Sequence, residues 1–226
     1  MKILITGGGS EEPIDNVRAV CNFSTGRTSA FLADFFVGLG HEVTEIVSER
    51  SVKAQNAQLL TYRTFEELSF ILEGECKTGG YDMIVHAAAV SDYSPVTIEV
   101  DGKEFACGSV SKIPAGAELV VRMKKNPKLV DSLKLWSGDK TKVFAFKLTS
   151  NASVSERKAA VAKVFTANKN HLLSPDFVVS NDLSEIDGDL HKFKIFERSL
   201  DVAVEGESLN ALGKAILKLA GVKREI

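Results

Sequence analysis

The sequence predicts an α/β fold: a doubly wound, mostly parallel sheet with helices on both faces, forming a single domain over residues 1–226. Three observations predict it. Short apolar runs alternate with stretches of helical period through most of the chain. Gly7, Gly8 and Gly9 follow the apolar run Ile3-Leu4-Ile5 after the single residue Thr6, where a strand end would let a ligand approach the backbone closely. Finally, Ser91 to Gly116 breaks the rhythm with Gly102, Gly108, Pro114 and Gly116, too long for an ordinary connection and therefore an inserted flap.

The elements follow in order. Lys2–Thr6 is a strand, and Phe31, Leu32, Phe35, Phe36 and Leu39 form one face of a helix that Gly40 ends. Glu42–Val47 is the next strand, Phe65, Leu68, Ile71 and Leu72 mark a helix, and Tyr81–Ala89 ("YDMIVHAAA") is a buried strand running into a polar turn. After the flap, alternation resumes with a strand at Glu118–Met123, a helix from Pro127 to Trp136, the strand "KVFAFKL", a helix over Ser153–Phe165 and a strand at Phe177–Ser180. Strands at Phe193–Phe196 and Val202–Val204 precede a last helix striped by Leu209, Leu212, Ile216 and Leu219.

Composition excludes several classes of function. A net charge of −2 gives no basic footprint for nucleic acid. Cys21, Cys76 and Cys107 are too few and too scattered for a disulfide framework and include no C-x-x-C pair, which fits reduced thiols in the cytoplasm. No apolar run approaches the ~18 residues of a membrane span, so no membrane partner is expected.

The glycines invite a dinucleotide reading that the next residues weaken. In G-x-G-x-x-G the third glycine opens a helix facing the pyrophosphate. Here Gly7 and Gly9 fit, but Glu12 and Pro13 follow, and helical periodicity starts only near Gly26. Tyr62, Tyr81 and Tyr93 lack the lysine four residues on that a short-chain dehydrogenase uses, and there is no phosphate-binding G-x-x-x-x-G-K-[ST]. An NAD(P)-dependent oxidoreductase and a non-catalytic nucleotide-binding module stay open as alternatives. In either case the ligand crevice of such a sheet lies where strand order reverses, between the segments "TGGGSEEPIDNVRAVCNFSTGR" and "HAAAVSDYSP".

Those two segments carry a resemblance. Gly7-Gly8, Glu12-Pro13-Ile14-Asp15, Val17-Arg18, Asn22, Ser24, Gly26, Ala88 to Tyr93, Lys112-Ile113, Lys125 to Lys128, Phe146-Lys147 and Asn181-Asp182 occur in the order found in the phosphopantothenoylcysteine synthetase family. The chain resembles these phosphopantothenate–cysteine ligases of coenzyme A biosynthesis across residues 7–182. The resemblance implies a Rossmann-like ligase that activates phosphopantothenate with a nucleoside triphosphate, CTP or ATP, through an acyl-nucleotidylate, and then couples it to cysteine. It also implies Mg²⁺ and a homodimer built through the flap at 91–116. Because residue 1 already begins the synthetase strand, the ligase half alone is expected, without flavin.

Roles carried by the resemblance have plainer alternatives. Asn22 and Lys112 are the catalytic candidates: an amide to stabilise the acyl carbonyl, and a flap lysine to neutralise the reacting phosphoryl group. They would otherwise be a turn residue and a solvated loop lysine. Arg18 and Ser24 flank Asn22 as anion-binding groups, although Arg18 alone could be a surface ion pair. Asp92 is the Mg²⁺ candidate, or else an Asx-turn residue. Asn126-Pro127 reads as a helix N-cap and first turn, an anion site reinforced by Lys124, Lys125 and Lys128. Ala88, Leu129 and Phe146 are assigned to the nucleotide crevice, Ala88 also to the acyl substrate, although a strand phenylalanine is ordinarily core. Lys169, seven residues before Asp176, is assigned to the triphosphate, but "NHLLSP" after it lacks a second lysine. His86 is expected to be a crevice wall.

Overall fold

The computed structural model describes residues 1–109, 112–166, 173–188 and 190–221. In chain order its elements are β1 (Lys2–Gly7), β2 (Glu11–Pro13), β3 (Ala19–Cys21), α1 (Arg27–Gly38), β4 (Glu42–Ser48), β5 (Gln58–Tyr62), α2 (Phe65–Thr78), β6 (Met83–His86), β7 (Tyr93–Val100), β8 (Lys103–Ala106) and β9 (Leu119–Lys125). A 3₁₀ turn (Leu129–Asp131), α3 (Leu133–Ser137), β10 (Lys142–Thr149), α4 (Val154–Thr166), β11 (Phe177–Asp182), β12 (Ile186–Asp187), β13 (Leu190–His191), β14 (Phe193–Glu197), β15 (Val202–Gly206) and α5 (Leu209–Leu219) follow.

The main sheet has eight strands in the order β15-β14-β11-β10-β6-β1-β4-β5. From β11 to β5 the strands run parallel, and β14 and β15 extend the sheet antiparallel. Successive side chains of a strand point to opposite faces, so β1 feeds two cores. Ile3 and Ile5 pack with Leu32 and Phe36 of α1 and Leu212 and Ile216 of α5. Leu4, between them, packs with Leu68 and Leu72 of α2 and Leu133 of α3. Val161 and Phe165 of α4 cover Ala145 and Val178 of β10 and β11. Each fully buried aliphatic chain contributes roughly 1.5–3 kcal/mol, which is why β1 reads as an unbroken apolar run.

Helix starts follow their local chemistry. The Thr64 hydroxyl accepts the Glu67 N–H, and the Glu67 carboxylate returns to the Thr64 N–H, closing a capping box at α2. Gly26 enters α1 at φ 75, a left-handed geometry that costs glycine little.

Three features depart from the sequence expectation. The strand expected at Glu118–Met123 belongs to a separate three-stranded sheet, β8-β7-β9, so the flap runs to Lys125 instead of closing at Gly116. Most β9 residues are exposed, which a buried parallel sheet does not permit. The helix expected from Pro127 to Trp136 is a 3₁₀ turn followed by the five-residue α3, because Lys128 is extended at ψ 112. The β2–β3 hairpin and the edge strand β5 were not anticipated.

Candidate active site at the strand switch

Strand order reverses at β1, with β4 and β5 on one side and β6, β10 and β11 on the other, so the crevice lies beyond Gly7 and His86. The two segments there are joined backbone to backbone. Ala87 N–H donates to Thr6 O (3.1 Å), Ala89 N–H to Gly8 O (2.8 Å) and Ser10 N–H to Ala89 O (3.2 Å). The glycines permit close packing by the chain itself: a Cβ on Gly7 would overlap the Ser29 side chain, and one on Gly9 the Asn22 carbonyl. Residues that looked like an open ligand turn are therefore filled by α1 and by the loop that carries Asn22.

Asn22 spans the two segments. Its backbone N–H donates to Ser10 O (3.2 Å) and its side-chain amide to Val90 O (3.1 Å). Among the described residues nothing takes its second amide N–H or its Oδ1, which leaves an oriented donor and acceptor for a ligand. Ser24 is half-buried two residues on, and its carbonyl accepts a long hydrogen bond from Ser51 Oγ (3.4 Å).

Asp15 and Arg18 act together. Asp15 Oδ1 accepts the N–H groups of Val17 (2.8 Å) and Arg18 (2.6 Å). Its Oδ2 accepts Arg18 Nη1 (2.7 Å) and the Ile113 N–H (3.0 Å). These bonds, led by that from Ile113, hold the buried carboxyl well below the usual carboxylate range against the opposing effect of burial. Both terminal guanidinium nitrogens of Arg18 reach Ile113 O at 3.3 Å. Arg18 is thus held in place within the protein by an ion pair and by the Ile113 carbonyl. The Ile113 side chain is buried with Ile14, Ile98 and Val100 in a small flap core. Lys112, next to it, is exposed and has no carboxylate partner among the described residues.

The Asn126-Pro127 helix start is not realised. Asn126 is buried and donates to Ser91 O (3.1 Å) and Ser94 Oγ (2.8 Å) instead of capping a helix. Ser94 Oγ also bonds Glu12 Oε2 (2.9 Å), and Glu12 Oε1 accepts the Phe65 N–H at the start of α2 (2.9 Å). This network ties the hairpin, the flap root and α2 together, and sequence reasoning missed it. Its one signal was an acidic residue where a third glycine belonged. Asp92 is exposed and paired with Lys128, Pro127 is exposed, and Leu129 is buried in the core beside α2.

Ala88 is half-buried beside that same core, and its N–H donates to Thr6 Oγ1 (3.2 Å). The same hydroxyl meets His86 Nδ1 at 2.8 Å, and burial pulls the imidazole down to about 4, so His86 is neutral near pH 7. Phe146 is half-buried against the core on the α1 side. Lys169 lies outside the described residues. Among the described residues no three ligating side chains cluster as a metal site, so Asp92 offers one carboxylate only. Beside the hairpin a concavity of about 500 Å³ is lined by Glu11, Arg18, Arg50 and Arg63. Arg50 (3.3 Å) and Arg63 (3.5 Å) both pair with Glu11, which leaves the site net positive.

Comparison with known proteins gives this geometry a context. Residues 1–220 match the family model described as the DNA/pantothenate metabolism flavoprotein C-terminal domain. The chain is 33% identical over 133 residues to the coenzyme A biosynthesis bifunctional protein CoaBC of Thermococcus kodakarensis, covering 59% of this chain and 30% of that one. It is 27% identical over 187 residues to the CoaBC of Methanocaldococcus jannaschii, covering 81% and 41%. The chain thus spans less than half the length of these curated relatives. Its fold is similar to the crystal structure of the DNA/pantothenate metabolism flavoprotein from Streptococcus pneumoniae, with TM-score 0.84, 24% identity and 98% of both chains covered. It is also similar to Cab2 in complex with phosphopantothenate-cysteine, with TM-score 0.72, 17% identity and coverage of 96% and 85%.

Proposed function

Because the chain belongs to the family of the DNA/pantothenate metabolism flavoprotein C-terminal domain, we propose that it is a phosphopantothenate–cysteine ligase of coenzyme A biosynthesis. The observation that carries this reading is Asn22, held across the strand switch with half of its amide uncommitted. The same loop weighs against a dinucleotide enzyme, since Gly8 to Gly26 separate β1 from α1 where a pyrophosphate would need the helix at once. Two relatives bearing the name of a coenzyme A biosynthesis protein, and a fold neighbour holding phosphopantothenate-cysteine, support it.

In the first half-reaction a carboxylate oxygen of phosphopantothenate attacks the α-phosphorus of a nucleoside triphosphate. A P–O bond forms and the bond to pyrophosphate breaks. Lys112 supplies positive charge to the phosphoryl oxygens as this happens. In the second, the cysteine amine attacks the acyl carbonyl, the nucleoside monophosphate leaves, and the amine's surplus proton passes to solvent. The free N–H of Asn22 donates to the carbonyl oxygen as its charge develops. The positive concavity at Arg18, Arg50 and Arg63 suits the substrate's phosphate.

Asp92 would hold Mg²⁺ through its one carboxylate once Lys128 gives way, and the ion would supply positive charge to the triphosphate. CTP and ATP are both candidate nucleotides. The flap is the proposed dimer contact, since Tyr93, Val96, Val120 and Met123 are exposed on it and β9 is a free edge.

The test is pyrophosphate release with phosphopantothenate and each of CTP, ATP and NADPH. Release that requires both phosphopantothenate and a triphosphate is expected, and Lys112→Ala should slow it by about 10²–10³-fold to a measurable residual rate without unfolding the protein. Reduction or oxidation with the nicotinamide cofactor and no pyrophosphate would overturn the ligase reading.

A further inference from the structure

We propose that Asp15 is a positioning residue for Lys112: through Arg18 and the Ile113 peptide it fixes the point from which the flap lysine reaches the reacting phosphoryl group. The inference rests on Lys112 serving the first half-reaction.

Both backbone polar groups of Ile113 are captured by one Asp–Arg pair. Asp15 Oδ2 takes the N–H and Arg18 takes the C=O, while Oδ2 also takes Arg18 Nη1, so the three residues close a ring. Asp15 is itself locked, because Oδ1 is held by the N–H groups of Val17 and Arg18. The contact joins residues 98 apart in the chain and is therefore tertiary, not a local turn. Ile113 is pinned by its side chain as well, at 3% exposure in the flap core.

Consecutive Cα atoms are about 3.8 Å apart, so fixing Ile113 fixes the root of Lys112 and leaves only its side chain to search. The hairpin that makes the clamp also carries Asn22: Glu11 of β2 pairs with Cys21 of β3, the residue before Asn22. One rigid element thus sets the positions of the groups proposed for the two half-reactions.

The discriminating variant is Asp15→Asn. Its remaining oxygen can keep the bonds to Val17 and Arg18 N–H, while its amide turns a donor toward Ile113 N–H and Arg18 Nη1, so the turn survives and the clamp opens. Single-turnover pyrophosphate release is compared in wild type, Asp15→Asn, Lys112→Ala and the double variant, with amide hydrogen exchange read in parallel. We expect Asp15→Asn to slow release by about 10–100-fold, as misplacement of a reacting group does. The double variant should be no slower than Lys112→Ala alone. The Ile113 amide should exchange at least about tenfold faster while amides of β1 and β6 keep their protection. Arg18→Lys, which keeps the charge but loses the fork, should slow the first step in the same non-additive way if Asp15→Asn does not fold. Wild-type release in Asp15→Asn, or slowing that multiplies with that of Lys112→Ala, overturns the inference. A wild type that releases no pyrophosphate removes the ligase reading, whereas a Lys112→Ala that releases it normally removes only the role of Lys112, and the inference falls with either.

Discussion

The backbone carbonyl of Asn22 occupies the space that a side chain on Gly9 would need. Glycine at position 9 is therefore a condition for the seating of Asn22, and the third glycine of the run serves the loop at 22 more directly than any ligand. Gly9→Ala should push that loop off Ser10 and Val90 and cost about 1–3 kcal/mol, the usual range for overpacking a filled site. Thermal unfolding checks the stability, and the coupling step should suffer more than the loss of stability alone explains.

Asn22→Asp should separate the half-reactions. Pyrophosphate should still be released in a single turnover, while transfer to cysteine should fall by ~10²–10³, because a donor to the developing oxyanion is lost and a carboxylate repels the acyl phosphate. Rapid quench with labelled nucleotide should find the mixed anhydride accumulating. Equal slowing of both steps would reduce Asn22 to a loop support.

His86 makes the fold sensitive to mild acid. Burial depresses its folded value to about 4 from the ordinary 6.5, so the unfolded chain binds the extra proton first. The stability contributed is fully present above pH 6.5 and lost as pH falls toward 4, by up to about 3 kcal/mol at roughly 1.4 per tenfold change in proton affinity. His86→Gln should flatten that part of the profile in denaturant titrations between pH 4 and 7. An unchanged slope would mean that other groups set it.

The parallel sheet was legible because its strands carry their signal in composition: Ile3-Leu4-Ile5 and Met83-Ile84-Val85 are buried on both faces and read as apolar runs. The hairpin at Glu11–Cys21 was not, since three-residue strands show no period and its burial depends on a flap about a hundred residues away. Asn126-Pro127 misled for a different reason. Asn before Pro starts a helix only if its side-chain oxygen is free to accept a backbone N–H, and here the Ser94 hydroxyl donates to that oxygen at 3.2 Å while the amide nitrogen is spent on Ser91 and Ser94. The spacing of Asp15 and Arg18 was visible too, but their shared partner, Ile113, is a backbone group and leaves no mark in composition.

The central place of β1 also governs how the chain must assemble. It pairs with β4 on one edge and with β6 on the other, where Ile3 meets Met83. During synthesis β1, α1, β4 and β5 can gather early, but the second edge of β1 stays open until β6 has emerged, a long-range closure of the kind that slows folding. Until then a strand apolar on both faces shows a row of unpaired N–H and C=O groups, the template on which chains aggregate. The same strand that later supports the loop of Asn22 is thus the nascent chain's most vulnerable edge.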